Sequence, residues 1–253
     1  MRIALVQMPR VGLGEGVRWL LERLPRADVV VLPEYWLGRS VLDEEGLRRL
    51  VGAFVDVASA VGGVVVAGGV AVAVGSSVRG VCPVVGREGL LTWGEKIFPS
   101  AATGERGWLS PGSRLALFAV SGWAVGCLIC IDLMYPELVR RLALAGAELV
   151  VNPASISADR RGLWGAVGLV RAFENSIYVA SAVGTGFEYA DGRPVAGGSY
   201  VASPNGGFRS FGSEAGVYVA ELDRGEVLQA RARRRYLDDV KAVGGVDLNI
   251  YGL

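Results

Sequence analysis

The sequence predicts an α/β protein in which two mixed β-sheets pack together with helices on their outer faces. The 253 residues are 51% hydrophobic and 20% charged, which provides a sizeable core and excludes a disordered or collagen-like chain. Short strand-like runs alternate with amphipathic helical ones, and some strands follow each other directly, which favours mixed sheets over a simple parallel one. The continuous apolar run at residues 29–32 indicates a strand buried on both faces. No linker or repeat divides the chain, so we predict a single domain over residues 1–253.

The elements follow from local patterns taken in chain order. The predicted strands are short apolar or alternating runs at residues 2–8, 28–32, 115–120, 123–129, 148–151, 177–183, 199–203 and 217–222, with a mainly β stretch at 63–91. The predicted helices have apolar residues at helical spacing and cover residues 15–24, 43–61, 136–147, 162–175 and a segment near 230–240. Pro136 falls in a first helical turn, where its missing N–H costs nothing.

The longest uncharged run, at residues 115–131, approaches the length of about 20 residues that a membrane-spanning helix needs. Ser121 and Gly122 interrupt this run, and β-branched and aromatic residues recur on both sides of them, so two buried strands joined by a tight turn explain it better. The apolar stretch at the start of the sequence is too short for a signal-peptide core. We therefore expect a soluble, cytoplasmic protein without a membrane partner.

Composition excludes several classes of function. The 26 basic residues balance 25 acidic ones, so nothing indicates nucleic acid as a partner. The absence of histidine excludes Ser-His and Cys-His catalysis and His-ligated zinc, and leaves proton transfer to carboxylate, amine, phenol or thiol. Three cysteines, an odd number, indicate free thiols in a reducing compartment. Scarce Asn, Gln, Cys and Met are typical of a heat-adapted source, whereas the shortage of lysine is not.

Two charged residues stand at positions that favour chemistry. Glu34 directly follows a buried strand and is flanked by proline and aromatic residues, where partial burial would raise its pKa toward that of a useful base. Lys96 is one of only two lysines, with Lys241, in a chain that otherwise uses arginine. The functional interpretation is that a compact ammonium is required where a guanidinium fork would not fit. The alternatives are a surface loop acid and a lysine present by chance.

The third candidate is Cys130, where a buried strand ends and a helix begins a few residues later. This pattern predicts a thiol exposed at a sharp turn, with a helix N-terminus that favours the thiolate. Cys127 should face the opposite side of the strand as part of the core, too far along an extended chain for a redox disulfide with Cys130. Cys82 has no reactive neighbours in the pattern and is interpreted as buried. The glycines at 12, 14 and 16 miss the dinucleotide-binding spacing, because the third would have to be at 17.

Further motifs flank these three places in the same order along nearly the whole chain. They are Gln7-Met8-Pro9, Pro33-Glu34, the loop at Lys96 and the segments 105–112, 129–137, 147–153, 171–179 and 198–206. With this ordered Glu, Lys and Cys set, the sequence resembles the nitrilase superfamily of carbon–nitrogen hydrolases, in its amidase-like branch. The resemblance implies a four-layer α-β-β-α sandwich, a homodimer and no metal, nucleotide or other cofactor.

The resemblance also implies roles for individual residues. Glu34 would be the general base, Lys96 the electrophilic stabiliser and Cys130 the nucleophile that forms a thioester. Glu105 would position the substrate and the lysine. The chemistry of the residues agrees, because Lys96 and the backbone N–H of Ile131 can stabilise an oxyanion after the thiolate attacks a carbonyl.

One departure from the family pattern bears on the substrate. Ile131 and Asp132 follow the cysteine where true nitrilases usually carry Trp-Glu, which favours a small amide over a nitrile. The expected substrate is an ω-amide, an aliphatic amide or a carbamoyl-amine. A nitrilase and a catalytically silent binding protein on the same fold remain the alternatives.

Overall fold

The computed structural model describes residues 1–243. Its strands are, in chain order, β1 (Arg2–Gln7), β2 (Val29–Val31), β3 (Val41–Leu42), β4 (Val64–Val66), β5 (Val70–Val74), β6 (Ser77–Gly86), β7 (Gly89–Glu95), β8 (Ala116–Val120), β9 (Trp123–Cys127), β10 (Leu149–Ala154), β11 (Tyr178–Val183), β12 (Thr185–Glu188), β13 (Pro194–Ala196), β14 (Tyr200–Ala202), β15 (Phe208–Ser210) and β16 (Gly216–Glu221). Its α-helices are α1 (Leu13–Arg23), α2 (Glu44–Val61), α3 (Pro136–Leu144), α4 (Arg161–Asn175), α5 (Arg224–Arg234) and α6 (Tyr236–Ala242).

Two mixed sheets contain most of these strands. The first has the order β16-β1-β2-β4-β6-β5-β3, with β7 also paired to β6, and the second has the order β15-β14-β11-β10-β9-β8. In the first sheet β1, β2 and β4 run parallel while β16 and β6 are antiparallel to their neighbours. In the second, β9, β10 and β11 run parallel, and their outer neighbours β8 and β14 are antiparallel to them. The prediction of two mixed sheets is confirmed.

Strand alternation produces the layers. In β1, Ile3 and Leu5 join an apolar core shared with the second sheet, while Ala4 and Val6 join a core shared with α1 and α2. Strands β2 and β4 alternate in the same way, so the first sheet is buried on both faces, as the continuous valine runs predict. Helices α3 and α4 pack on the outer side of the second sheet. The predicted four-layer α-β-β-α sandwich is confirmed.

Local signals fix the ends of several elements. Asp43 caps α2 by accepting a hydrogen bond from the N–H of Gly46 at 2.7 Å, and Gly62 ends that helix in the left-handed region at φ 75°. Strands β8 and β9 form the predicted hairpin, whose turn places Ser121 at φ 48° and Gly122 at φ 77°. The long uncharged run is therefore a strand pair. Within residues 1–243, no helix is both long and apolar enough to cross a bilayer.

One prediction of secondary structure is wrong, and one hairpin is missing from the predictions. The single helical segment near residues 230–240 is two helices, α5 and α6, because Arg235 adopts a left-handed conformation at φ 56° between them. The hairpin of β12 and β13 was not predicted at all, since its strands lack an apolar alternation and Gly186 adopts a positive φ inside the first. The single-domain organisation stays a prediction, and its last residues, 244–253, lie outside the described part of the chain.

Candidate active site

The structure brings the sequence-predicted site residues together. Glu34 follows β2, Lys96 directly follows β7, and Cys130 comes three residues after β9. With Glu105 and Ile131, these residues line one cavity of about 280 Å³. The reacting groups are deeply buried, because the two glutamates and the lysine are 1–2% exposed and Cys130 is 7% exposed. The alternatives of a surface loop acid for Glu34 and a chance loop lysine for Lys96 do not fit this burial.

Lys96 lies between two carboxylates. Its ammonium donates to Glu34 Oε1 at 2.6 Å and to Glu105 Oε1 at 2.7 Å. Glu105 is held in turn by the hydroxyl of Tyr35 at 2.9 Å and the backbone N–H of Ser100 at 2.6 Å. The ammonium therefore has a fixed place between two carboxylates, where a planar guanidinium is not an equivalent group.

Burial and the excess of negative charge set the protonation states. Burial raises the pKa of Glu34 to about 7, against the opposing charge of Lys96, and the charge of Glu105 adds to the rise. Burial alone lowers the pKa of Lys96, but the negative charge of Glu34 and its other neighbours raises it well above its ordinary value. The lysine is thus a fixed cation, whereas Glu34 can take up and release a proton near neutral pH. The predicted rise for Glu34 is confirmed.

The predicted preference of Cys130 for the thiolate is wrong for this site. Burial raises the pKa of the Cys130 thiol well above its ordinary value, the charge of Glu34 raises it further, and Lys96 acts against both. A helix N-terminus cannot outweigh the effects of burial and of the Glu34 charge, because the residues after Cys130 form only a short 3₁₀ turn, Cys130–Met134. At rest the sulfur therefore carries its proton and requires a base.

The backbone around the cysteine is held in an uncommon conformation. Cys130 has φ 48° and Tyr35, next to Glu34, has φ 55°, a region that residues with a Cβ rarely adopt. At Cys130 this conformation ends the extended chain and begins the 3₁₀ turn. The first hydrogen bond of that turn runs from the N–H of Asp132 to the carbonyl of Ile129. The N–H of Ile131 comes one residue earlier and is not the donor of this bond.

Asp132 has a contact that the sequence did not reveal. Its carboxylate accepts hydrogen bonds from the backbone N–H groups of Ile97 at 2.8 Å and Phe98 at 2.9 Å, the two residues after Lys96. It is completely buried, and burial raises its pKa to about 6, against the effect of those two hydrogen bonds. Asp132 therefore ties the loop of the lysine to the turn of the cysteine. Only its place beside Cys130 could have indicated this.

Asn152 supports the same turn from β10. Its side-chain amide donates to the carbonyls of Leu128 at 2.8 Å and Cys130 at 3.2 Å, and its own oxygen accepts from the hydroxyl of Ser181 at 3.1 Å. These residues are buried, and the amide supplies hydrogen bonds to carbonyl groups that lie beyond the end of β9. Asn152 belongs to a motif that the sequence analysis noted without assigning it a role.

Part of the cavity wall carries hydrogen-bond donors. Arg160, Arg193, Ser155 and Trp164 line it. Within residues 1–243, the buried Ser155 Oγ and Trp164 Nε1 have no hydrogen-bond partner. The β12–β13 hairpin closes this side, because the Tyr189 hydroxyl donates to the Ser155 carbonyl. These donors suit a ligand group that accepts hydrogen bonds.

The other two cysteines lie outside the cavity. Cys127 faces the core between the sheets, as predicted, but Cys82 is not without neighbours: its sulfur lies 2.7 Å from that of Cys127. All three cysteines are free thiols in the structure. Among the described residues there is no group of three or more His, Cys, Asp or Glu side chains that could hold a metal ion.

Comparison with known proteins identifies the class of this fold and site. A family model described as carbon–nitrogen hydrolase matches residues 2–232. The chain therefore belongs to the carbon–nitrogen hydrolase family. This confirms the resemblance to the nitrilase superfamily and the prediction of an enzyme of its amidase-like branch.

Particular relatives are similar over different shares of the chain. The 2-oxoglutaramate amidase of Bacillus subtilis is 30% identical over 224 residues, which cover 85% of each protein. A hydrolase encoded in the pqqF 5' region of Pseudomonas protegens is 38% identical over 124 residues, 49% of this chain and 43% of that protein. The chain thus matches less than half the length of the second relative.

Solved structures share the fold. A carbon–nitrogen hydrolase superfamily protein from Xanthomonas campestris superimposes with a TM-score of 0.81 at 21% identity, over 100% of this chain and 99% of that one. An amidase from Nesterenkonia superimposes with a TM-score of 0.77 at 23% identity, over 95% and 97% of the two chains.

Proposed function

We propose that the protein hydrolyses the C–N bond of a small amide through a thioester on Cys130. The observation that carries this proposal is the burial of one thiol, two carboxylates and one ammonium in a single cavity, with Lys96 bonded to both carboxylates. In this scheme Glu34 is the general base, Lys96 stabilises the oxyanion and Glu105 positions the lysine. No histidine is required.

The acylation step uses the pKa of Glu34. Glu34 accepts the thiol proton as the Cys130 sulfur attacks the amide carbon, so the thiolate never has to exist alone beside two carboxylates. The carbonyl oxygen becomes negative and is stabilised by the ammonium of Lys96 and the N–H of Ile131, each good donor contributing about 3 kcal/mol. Glu34 then gives the proton to the departing amine, the C–N bond breaks, and the acyl group stays on sulfur.

Deacylation runs through the same groups. Glu34, again ionised, removes a proton from a water molecule that attacks the thioester carbon. The same two donors stabilise the second oxyanion. When the C–S bond breaks, the sulfur recovers the proton from Glu34 and the carboxylic acid leaves, which returns the site to its resting state.

The donors that line the cavity favour an amide whose acyl chain carries a carboxylate, the ω-amide among the predicted substrates. The guanidinium groups of Arg160 and Arg193 pair with Asp159 and Asp191 near the surface, and exposed pairs of this kind are weak enough to exchange partners. Ser155 Oγ and Trp164 Nε1 supply two further donors. The name of the B. subtilis relative, a 2-oxoglutaramate amidase, supports an acidic amide.

Ammonia release from matched compounds tests the proposal. Succinamic acid, butyramide and butyronitrile have the same chain length and differ in the distal carboxylate or in the reacting group. We expect turnover of both amides, with kcat/KM for succinamic acid roughly tenfold or more above that for butyramide, because a hydrogen bond to a charged group contributes about 1.5–3 kcal/mol. Arg193→Gln should reduce this ratio, whereas Arg87→Gln, at an exposed position in the turn between β6 and β7, should not.

The other outcomes separate the alternatives. Equal turnover of the two amides would contradict the preference for an acidic acyl chain and leave amide hydrolysis in place. Turnover of the nitrile alone would make the protein a nitrilase. Turnover of no compound, with Cys130 unreactive toward iodoacetamide, would identify a silent binding protein on the same fold.

A homodimer stays part of the proposal. Helices α4 and α6 expose apolar side chains, among them Val170 at 52%, Phe173 at 38% and Tyr236 at 39%. An exposed apolar face of this kind is typical of an association surface. Light scattering of the purified chain would measure the oligomeric state directly.

A further inference from the structure

A second pair of thiols lies in the core between the two sheets. Cys82 stands in the middle of β6 in the first sheet, and Cys127 is the last residue of β9 in the second. They are 45 positions apart in the sequence, and their Sγ atoms are 2.7 Å apart. Cys82 is 0% exposed and Cys127 is 2% exposed. The proposed reaction uses neither of them.

The surroundings of this pair are apolar. Strand alternation sends Cys82 and Val84 into the inter-sheet core, and Val125 and Cys127 into the same core from the opposite side. A thiol is a weak donor and a weak acceptor, so two thiols facing each other among alkyl groups gain little from a hydrogen bond. A covalent S–S bond is about 2.05 Å long, which requires the sulfurs to approach by roughly 0.7 Å.

We propose that Cys82 and Cys127 are joined by a disulfide that connects the two sheets. The two thiols lose two protons and two electrons to a disulfide-bearing oxidant, such as oxidised glutathione or a protein disulfide oxidoreductase, which becomes two thiols. A thiolate of one cysteine first forms a mixed disulfide with the oxidant, and the other cysteine then displaces the second thiol. Because both sulfurs are buried in the finished fold, this exchange takes place before the sheets close.

Burial also explains how the bond persists beside reductants. Burial and the neighbouring Cys127 raise the pKa of Cys82 well above its ordinary value, so the Cys82 thiol reacts poorly in the folded chain. A reductant reaches the sulfurs only after the sheets separate. For this pair the proposal departs from the prediction of free thiols, with which the structure agrees.

The pairing has a consequence for the third thiol. Cys127 is the cysteine nearest to Cys130 in the sequence, and its side chain faces away from the cavity toward Cys82. Cys130 instead lines the cavity, with its sulfur 3.6 Å from the Ser155 carbonyl. A bond between Cys82 and Cys127 leaves Cys130 as the one free thiol of the chain.

Thiol counting tests the bond itself. The full chain is unfolded, refolded in a buffer of reduced and oxidised glutathione, denatured again and alkylated with iodoacetamide in the absence of reductant. We expect one modified cysteine, Cys130, and a cross-linked peptide that contains Cys82 and Cys127. Reduction before alkylation should give three modified cysteines. Three modified cysteines without reduction, or a peptide that links Cys130 to either of the others, would overturn the proposal.

Thermal unfolding supplies an independent measurement. Chain refolded in the oxidising buffer should have a Tm about 5–15 °C above that of chain refolded with a reductant, because the bond closes a loop of 45 residues in the unfolded state. Cys82→Ala should remove the difference and Cys130→Ala should keep it. The same Tm for both preparations of the unsubstituted chain would contradict the proposal. Since Cys82→Ala leaves the cavity untouched, its hydrolytic activity reports separately on the proposed function.

Discussion

Cys127 and Cys130 are three residues apart and almost equally buried, yet their surroundings are opposite. The sulfur of Cys127 lies among alkyl groups and one other thiol, whereas that of Cys130 faces a carboxylate and an ammonium. Burial raises the pKa of Cys130, but only this thiol has a base whose own pKa is about 7. The comparison shows that the groups around a buried thiol, more than its depth, decide what it can do.

The origin of the two environments lies in the fold. Residues within a strand alternate between two apolar layers, so Cys127, still inside β9, enters a core. Residues just beyond a strand end escape that alternation, and Cys130 does so through its positive φ. Glu34 and Lys96 likewise follow strand ends. The buried charges of Glu34 and Lys96 are tolerated there because the carboxylate and the ammonium are paired by a hydrogen bond.

Replacing each cysteine by alanine gives the largest contrast. We expect Cys130→Ala to lower kcat by at least about 10⁴-fold with the fold intact, because it removes the nucleophile and little packing volume. Cys127→Ala should retain most of the activity and lower the Tm, since it removes a core contact. Ammonia release and thermal unfolding of both variants check this. Hydrolysis that survives in Cys130→Ala would contradict the assignment of Cys130 as the nucleophile.

The next largest effect is expected when Lys96 is replaced by arginine. Lys96→Arg should reduce kcat/KM by about 10²–10³-fold, because the guanidinium cannot take the ammonium's place between Glu34 and Glu105. Lys241→Arg, at an exposed position in α6, is the matched control and should behave like the unsubstituted chain. Near-normal activity of Lys96→Arg would show that the ammonium's shape is not required.

The pH dependence sharpens the role of Glu34. Its pKa is raised from 4.5 to about 7, and it acts as a base only when ionised, so activity is complete above that pH and falls as the pH decreases through it. We expect kcat/KM at pH 6 to be about one tenth of its value at pH 8. A rate profile over pH 4–9 measures this, with stability monitored in parallel. An acidic limb near 4.5 would mean that Glu34 is not the base or is more hydrated than its burial indicates.

The smallest effect concerns Asp132, which positions other groups without contacting the reaction centre. Asp132→Asn replaces one accepting oxygen by an amide N–H that faces a backbone N–H, so the tie to Ile97 or Phe98 is lost. The loss of one such bond corresponds to about fivefold in kcat, with KM less affected. Asp56→Asn, exposed on α2, is the control. An equal rise of KM and no change of kcat would indicate substrate contact instead.

The sequence predicts well wherever one residue pattern dictates one structure. The valine runs of β2 and β4 determine their burial, Asp43 determines the start of α2, and Ser121-Gly122 determines the hairpin. Glu34 and Cys130 were candidates because each follows an apolar strand, and Lys96 because the chain has only two lysines, but these patterns left structural alternatives open at Glu34 and Lys96. Their roles, and the choice of Glu105, came from the resemblance to the family. Their meeting in one cavity depends on strand order, which local patterns do not encode.

The failures have physical causes of the same kind. Arg235 separates the last two helices by adopting a left-handed conformation, which an arginine in the sequence does not predict. The contact of Cys82 with Cys127 depends on how two sheets face each other, and the two hydrogen bonds that Asp132 accepts depend on a loop 34–35 positions away. The thiolate prediction was wrong because it considered the helix end alone, and neither the burial of the thiol nor the two carboxylates beside it.

The β12–β13 hairpin carries a consequence for how such a protein can change. It contributes Tyr189 and Arg193 to the cavity and is attached to the opposite loop through the Ser155 carbonyl and a bridge between Ser157 and Val195. It contains none of the proposed reacting groups, which stand on the ends of the large sheets. Exchange of this one short segment would therefore alter which acyl chains are accepted while the bond-breaking apparatus stays as it is, so new specificities can be selected without rebuilding the enzyme.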